Sequence, residues 1–357
     1  MGRERTMPAA YGRLLRRRWL TLAVLALLVG ALVLVSLTTG SSALTAGDLL
    51  EALLGRGTDQ TRAILFRVRL PRTAAATVVG AALALSGCVM QCVLRNPLAS
   101  ASTLGVSQGA AFGAAAAIIG LDAGVQNAAN AASAVTISSP AAVTVCAFLG
   151  GMATTVFVLA LSRLRGAAPS SMILAGVALS SLFTGGTTLL QYFADDVQVA
   201  TVVYWTFGDL GRPGWSEIGL IAACTAAALL FFLWNRWNYN ALSGGGDTAR
   251  SLGVNVGVLT CASMALCTLI AAVSVAFVGV VSFVGLVAPH MLRRFTGADH
   301  RFLIPASALG GAALLLLGDL AARELLSPAV LPIGAITSFL GAPMFLYLLF
   351  RRGDRLC

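Results

Sequence analysis

Any chemistry in this 357-residue chain has to come from two histidines, seven cysteines, 14 acidic side chains and 24 basic ones, and every basic residue is an arginine. A phosphate-binding loop of the G-x-x-x-x-G-K-[ST] kind needs a lysine amine, and so does Schiff-base catalysis. With no lysine present, nucleotide hydrolysis, if it drives this protein, belongs to another polypeptide. Cys88, Cys92, Cys146, Cys224, Cys261, Cys267 and Cys357 have neither zinc-finger nor oxidoreductase spacing. Cys88 and Cys92 stand four residues apart on one predicted helix face; small apolar packing explains that pair better than a soft-metal site. His290 and His300 fall near the ends of apolar runs, so no cluster of His, Cys or carboxylate lines a path for a bare transition metal. We expect no catalytic residue, no metal site and no cofactor.

Two groups of polar residues stand out against the apolar background. Arg67, Arg69 and Arg72 lie between the first and second apolar runs, where the charge bias of a membrane protein disfavours arginine. They read either as headgroup anchors and partners of Asp48, Glu51 or Asp59, or as a cationic dock for an acidic partner. The second group is the segment 238–254, NYNALSGGGDTARSLGV. Asp247, Ala249, Arg250 and Leu252 there predict a short capped helix with a small apolar face and a stop at Gly253. Such a segment is either a solvated loop or a docking helix for a cytosolic motor. The three glycines Gly244 to Gly246 are expected to loosen its first half, since each costs about 1 kcal/mol relative to alanine inside a helix.

The elements that must carry these residues follow from hydropathy. Apolar residues make up 58% of the chain and charged ones 11%, with a mean hydropathy of +0.87. A soluble fold cannot hide that much apolar surface, because soluble domains run near 25% charged. Stretches long enough for a hydrocarbon core of about 30 Å occur near 19–38, 73–94, 104–120, 141–162, 172–192, 218–235, 302–318 and 330–349. The run Gly257 to Leu292 has no Asp, Glu or Arg. As a single helix it would be roughly 54 Å long, so it must fold back, with the turn predicted around Ser274 to Gly279.

The count is therefore ten transmembrane helices in an all-α polytopic bundle, and even parity puts both termini on one side. Arginine clusters at residues 13–18 and at Arg351, Arg352 and Arg355 make that side cytoplasmic. With this topology the inner segments hold 17 arginines and four acids, the outer ones seven arginines and ten acids. The excess of arginine is a topology and lipid-surface signal, not a nucleic-acid footprint. Residues 1–18 and 351–357 are expected to be cytoplasmic tails around a membrane domain spanning 19–350. The basic start followed by an apolar run imitates a signal peptide, but the run is long and many spans follow, so an uncleaved helix is expected.

Smaller features complete the plan. Val197 to Trp205 is too short to cross and predicts an interfacial helix on the outer side. Residues 121–139 read as an outer loop. Gly105, Gly109 and Gly113, four apart, predict a close helix-packing seam, with Gly80 in a similar small-residue setting. The spans carry almost no ionisable groups apart from Asp319, Arg323 and His290 near their ends, which disfavours coupling to a proton or sodium gradient.

Several motifs in order then resemble one family. RLPR at Arg69 to Arg72, GAALALSGCVMQCVLRNPLA from Gly80, LGVSQGA from Leu104, LAGVALS from Leu174, the 238–254 loop, FVGLVAPHMLRR from Phe283 and LPIGAITSFLGAPMFLYLL from Leu331 look like the permeases of ATP-binding-cassette importers for iron-siderophores, haem and cobalamin. The resemblance implies ten helices per subunit, a second permease subunit, a cytosolic ATPase dimer and an extracytoplasmic binding protein. It implies that Arg69, Arg72 and Arg323 meet acidic residues of the binding protein. It further implies that Asn240, Gly245, Asp247, Ala249, Leu252 and Gly253 form the element seated in the ATPase. Ser170 and Ser171, at the inner turn before LAGVALS, are implied to be part of the cytoplasmic gate. Where this chain has Gly244 and Gly246, the family usually carries an aliphatic and an acidic residue.

Overall fold

The computed structural model of the chain describes residues 9–40, 46–125, 136–137, 139–165, 169–327 and 329–353. Its helices are α1 (Ala9–Thr38), α2 (Ala46–Leu53), α3 (Asp59–Ile64), α4 (Leu70–Val93), α5 (Val106–Ala115), α6 (Pro140–Arg165), α7 (Pro169–Phe193), α8 (Asp196–Phe207), α9 (Trp215–Trp234), α10 (Arg236–Ser243), α11 (Gly246–Ser251), α12 (Val256–Val278), α13 (Val284–Thr296), α14 (His300–Glu324) and α15 (Ile333–Gly353). Two short strands, Gly124–Val125 and Thr136–Ile137, pair antiparallel in the predicted outer loop.

A helix stands at each of the ten expected crossings. Seven helical stretches are long and apolar enough to cross a bilayer unaided: α1, the continuous run Asp59–Val93, and stretches within α6, α7, α9, α12 and α14. The other three are short. α5 is extended by a π-helical turn at Ala116–Gly120, α15 is apolar over Ile333–Tyr347, and α13 has 13 residues. At 1.5 Å per residue α13 is about 20 Å long, less than a hydrocarbon core. α1 starts at Ala9, so Arg13 and Arg16 to Arg18 ride on a helical extension of the first span rather than on an irregular tail.

The long apolar run breaks at the C-terminal end of the predicted turn, at Gly279. Ser274 does not interrupt α12, because its hydroxyl donates to the Ile270 carbonyl at 2.7 Å and is satisfied inside the helix. The helix ends at Val278, whose carbonyl accepts from the Asp209 amide at 2.8 Å. Gly279 then takes φ +92 directly against the α8–α9 corner, where a Cβ would lie 2.6 Å from the Trp205 carbonyl oxygen. Only glycine tolerates both conditions. The chain runs non-helically to Phe283, which enters α13 with φ +64.

α4 is the axis of the bundle. In its membrane window 83% of residues are buried, against 11% for α1 and for α7. Two glycine contacts make this possible: Gly80 faces Gly311 of α14, and Gly87 faces the Gly285 carbonyl of α13. The predicted glycine seam is present, with Gly109 against Gly150 and Gly113 against the Cys146 carbonyl, joining α5 to α6. Gly105 plays a different part, capping α5 with φ +86 next to Gly176 of α7. Small residues serve here because lipid supplies no hydrophobic drive between helices, so close van der Waals contact has to hold them.

The predicted interfacial helix is α8. Asp195 caps it by accepting from the Gln198 amide at 2.8 Å, while the Gln198 side chain accepts from the Asp195 amide at 3.3 Å, a reciprocal capping box. Cys88 and Cys92 sit in the core on α4, and the Cys92 thiol reaches the Tyr239 carbonyl at 3.6 Å.

Candidate functional sites at the two ends of the bundle

At one end of α4 the three expected docking arginines are gathered, but their guanidiniums are engaged within the protein. Arg69 closes a π-helical turn, Leu65–Arg69, and donates to the carbonyls of Leu37 and Thr38 at 2.7 and 3.1 Å. Those carbonyls belong to the last turn of α1, which has no intrahelical donors left to satisfy them and carries the negative end of the helix dipole. Arg72 Nε donates to Asp319 Oδ1 at 2.8 Å, and its Nη1 to Asp209 Oδ1 at 3.3 Å. Arg323 Nε stands 3.0 Å from Asp319 Oδ2, while its terminal nitrogens donate to Ser36 Oγ at 2.8 Å and to the Thr39 carbonyl at 3.0 Å.

Asp319, which the sequence marks only as an ionisable group near the end of a span, is the residue that Arg72 and Arg323 share. It is fully buried, and a buried carboxylate persists only when paired and hydrogen-bonded. The Asp319–Arg323 spacing of one helical turn was legible; the reach from Arg72, 247 residues away, was not. Arg72 thus pairs with Asp319 and Asp209, which are not among the three acids expected near it. Arg67 is exposed.

The opposite end of the bundle carries the 238–254 element. It is two helices, α10 and α11, joined by a corner at Gly244 and Gly245. Gly244 closes α10, and Gly245 has φ +115 and ψ 152, a region open essentially only to glycine. The glycines therefore make the corner instead of loosening a helix, and the expected penalty does not arise. α11 has Ala249 buried, a surface pair between Arg250 and Asp247 at 2.8 Å, and Leu252 at 67% exposure. Gly253 follows with φ +85 and ends the element as predicted.

α10 is fastened to the bundle at two points. Tyr239 is buried with its hydroxyl 2.7 Å from that of Ser263, and Asn240 grips the start of α14. Asn240 Oδ1 accepts from the His300 amide at 2.8 Å, and its Nδ2 donates to Asp299 Oδ1 at 3.0 Å. Asp299, the N-cap of α14, also accepts from Arg18 of α1 at 2.9 Å and from Arg301 at 2.8 Å. Burial works against its charge, but hydrogen bonds from Arg301 and Asn240 outweigh that and lower its carboxyl to about 2. A folded value below the unfolded one, about 3.9, means that this junction contributes fully above the unfolded value and is lost as pH falls through the folded one. The gap in melting temperature between wild type and Asp299→Asn should be constant above about pH 5 and narrow progressively below about pH 4. A gap that stays constant on acidification would show that the charge of Asp299 is not what holds the junction.

Ser170 and Ser171 open α7. Ser171 is exposed, and the side chain of Ser170 lies outside the described residues. Gly176, further along α7, packs against Leu104, placing this turn near the same end of the bundle as α10.

Among the described residues no group of three or more His, Cys, Asp or Glu is arranged to hold a metal ion. The structure is a multi-pass helical bundle with a guanidinium cluster at one end and a presented helix at the other. The chain belongs to the FecCD transport family, whose pattern matches residues 24–351. It is 51% identical over 320 residues to the ABC-transporter-permease-like protein MJ0087 of Methanocaldococcus jannaschii, covering 90% of this chain and 91% of that one. The hemin transport system permease protein HmuU of Yersinia pestis is 36% identical over 297 residues, covering 82% and 84%. An inward-facing structure of a metal-chelate type ABC transporter superposes with a TM-score of 0.80 at 31% identity, covering 92% of this chain and 98% of that one. The protein is an ABC importer permease of the FecCD family.

Proposed function

We propose that this permease carries an iron(III)-siderophore inward across the inner membrane by alternating access, powered by ATP hydrolysis in a separate cytosolic ATPase dimer and supplied by an extracytoplasmic binding protein. The observation that carries the reading is the α10–α11 element. It is hydrogen-bonded to α14 through Asn240, yet it presents Leu252 outward, 67% exposed among the described residues. An apolar side chain held out on a firmly anchored corner suits a socket in a partner, and motion of that partner would reach α14 and α1 through Asp299. Asn240, Gly245, Asp247, Ala249, Leu252 and Gly253 are assigned to this coupling, Ser170 and Ser171 to the inner gate, and Arg69, Arg72 and Arg323 to the binding-protein dock. A second permease subunit, identical or related, completes the pathway, and lipid covers the remaining apolar surface, which includes Leu174 and Phe193 of α7.

An iron chelate is preferred because, among the described residues, no group of three or more His, Cys, Asp or Glu could hold a bare ion, so the cargo has to arrive already wrapped. Haem or cobalamin is the alternative cargo, each supported by a relative: HmuU at 36% identity and the vitamin B12 import permease BtuC of Escherichia coli at 37%. The deciding experiment is uptake by vesicles holding the permease with the ATPase and binding protein that copurify with it. Radio-iron-loaded siderophore should accumulate only with ATP inside the ATPase compartment. Uphill accumulation without ATP would overturn the importer mechanism in favour of an ion-coupled carrier, and accumulation of haem or cobalamin in place of the siderophore would reassign the cargo.

A further inference from the structure

The arginines of the dock are neutralised from inside. Against the three guanidiniums of Arg69, Arg72 and Arg323 stand three carboxylates: Asp319 and Asp209 in direct contact, and Glu324 close enough to act on Arg69 electrostatically. The side chains of Arg72 and Arg323 are only 14% and 11% exposed. The paired guanidiniums themselves present little net field to an acidic partner, leaving the exposed Arg67 and Arg212, which also acts on Asp209, as the remaining positive groups, and screening reduces any field further beyond about 10 Å at ordinary salt. An approaching carboxylate has to compete with one that is already there.

The two internal competitors differ. Asp209 is half exposed, and its pair with Arg72 is of the surface kind, worth little and readily exchanged. Asp319 has no exposed surface, lies inside α14, and holds one guanidinium from α4 and one from its own helix. It cannot leave; the guanidiniums must swing away from it. We propose that Asp319 is a positioning residue for the dock, aligning Arg72 and Arg323 and holding them in reserve, so that seating the binding protein exchanges a buried internal ion pair for one across the interface. This deepens the docking role proposed above and rests on it. Because Arg72 belongs to α4 and Arg323 also secures the end of α1, the exchange loosens the α1–α4–α14 contact at that end only while the partner is seated.

The test uses Asp319→Asn in the full permease–ATPase complex in nanodiscs, with Asp319→Glu as the charge-conserving control. Labelling by the arginine reagent p-hydroxyphenylglyoxal, read by mass spectrometry without any partner, should be severalfold faster at Arg72 and Arg323 in the Asn variant and near wild type in the Glu variant. The copurifying binding protein should dock to the Asn variant about tenfold more tightly at low ionic strength, with the gain shrinking as salt is added. Labelling at the wild-type rate overturns the masking, and docking weakened equally by Asn and Glu overturns the competition. If the Asn variant folds poorly, Asp209→Asn should speed labelling at Arg72 alone; no change there also overturns the masking. Arg72→Gln and Arg323→Gln separate the two levels. Docking that ignores both substitutions refutes the dock itself, whatever the labelling shows.

Discussion

A Gly87→Val variant should leave almost no monodisperse permease in detergent extracts. A Cβ at this position collides with the Gly285 carbonyl group at the crossing of α4 and α13. Overpacking ordinarily costs about 1–3 kcal/mol because neighbouring side chains give way. Here the obstacle is backbone on both sides. α13 cannot slide clear, since Phe283 at its start already occupies the left-handed region and α4 is enclosed along most of its length. The loss should therefore reach or exceed the top of that range, a large share of the roughly 5–15 kcal/mol that stabilises a typical domain. Fluorescence-detected size exclusion of a tagged chain measures it. Gly219→Val is the control, because a Cβ there has nothing within 4 Å. An intact, monodisperse peak from the Gly87 variant would mean that the close crossing is not a condition of the fold.

Leu252→Asp should abolish transport without affecting the fold. Leu252 is 67% exposed, so removing it takes no contact from the core of the subunit. If it fills a socket in the ATPase, its loss should remove roughly 2 kcal/mol or more of association energy, about thirtyfold. The melting temperature of the isolated permease should stay at the wild-type value, the ATPase should retain hydrolysis of its own, and ATP-dependent uptake should fall below detection. Ala249→Asp, one turn away but buried, should instead destabilise the permease itself, because an unpaired carboxylate would be forced inside. Wild-type uptake by the Leu252 variant would remove this contact from the mechanism.

The positions most readable in the sequence are those whose environment is set by the solvent rather than by a partner. A stretch of some twenty apolar residues has one low-energy state in a bilayer, so the seven helices long and apolar enough to cross were legible before any tertiary information. A local stop signal was also sufficient on its own: Gly253 ends the α10–α11 element, as its sequence predicts. The glycines four apart in α5 identified a packing seam, though not which helix it faces.

Hydropathy cannot register contacts between elements far apart in the chain, and the sites depend on such contacts. In lipid an inward and an outward face are equally apolar, so nothing along α4 reveals that it is the enclosed axis while α7 lies open. The break in the long apolar run falls at the Gly279 end of the predicted turn because the α8–α9 corner comes to rest there. The glycines of the 238–254 segment read as weaknesses in sequence, whereas α10 and α11 meet at them.

The amino-acid sequence by itself determined a lysine-free, ten-helix membrane subunit and the residue types at its two ends, because bilayer partitioning and helix capping depend only on near neighbours. The tertiary structure alone decided that Arg72 turns inward to Asp319 and that Asn240 and Arg18 converge on Asp299. Those pairings join residues tens to hundreds of positions apart, and they exist because α1, α4 and α14 pack side by side.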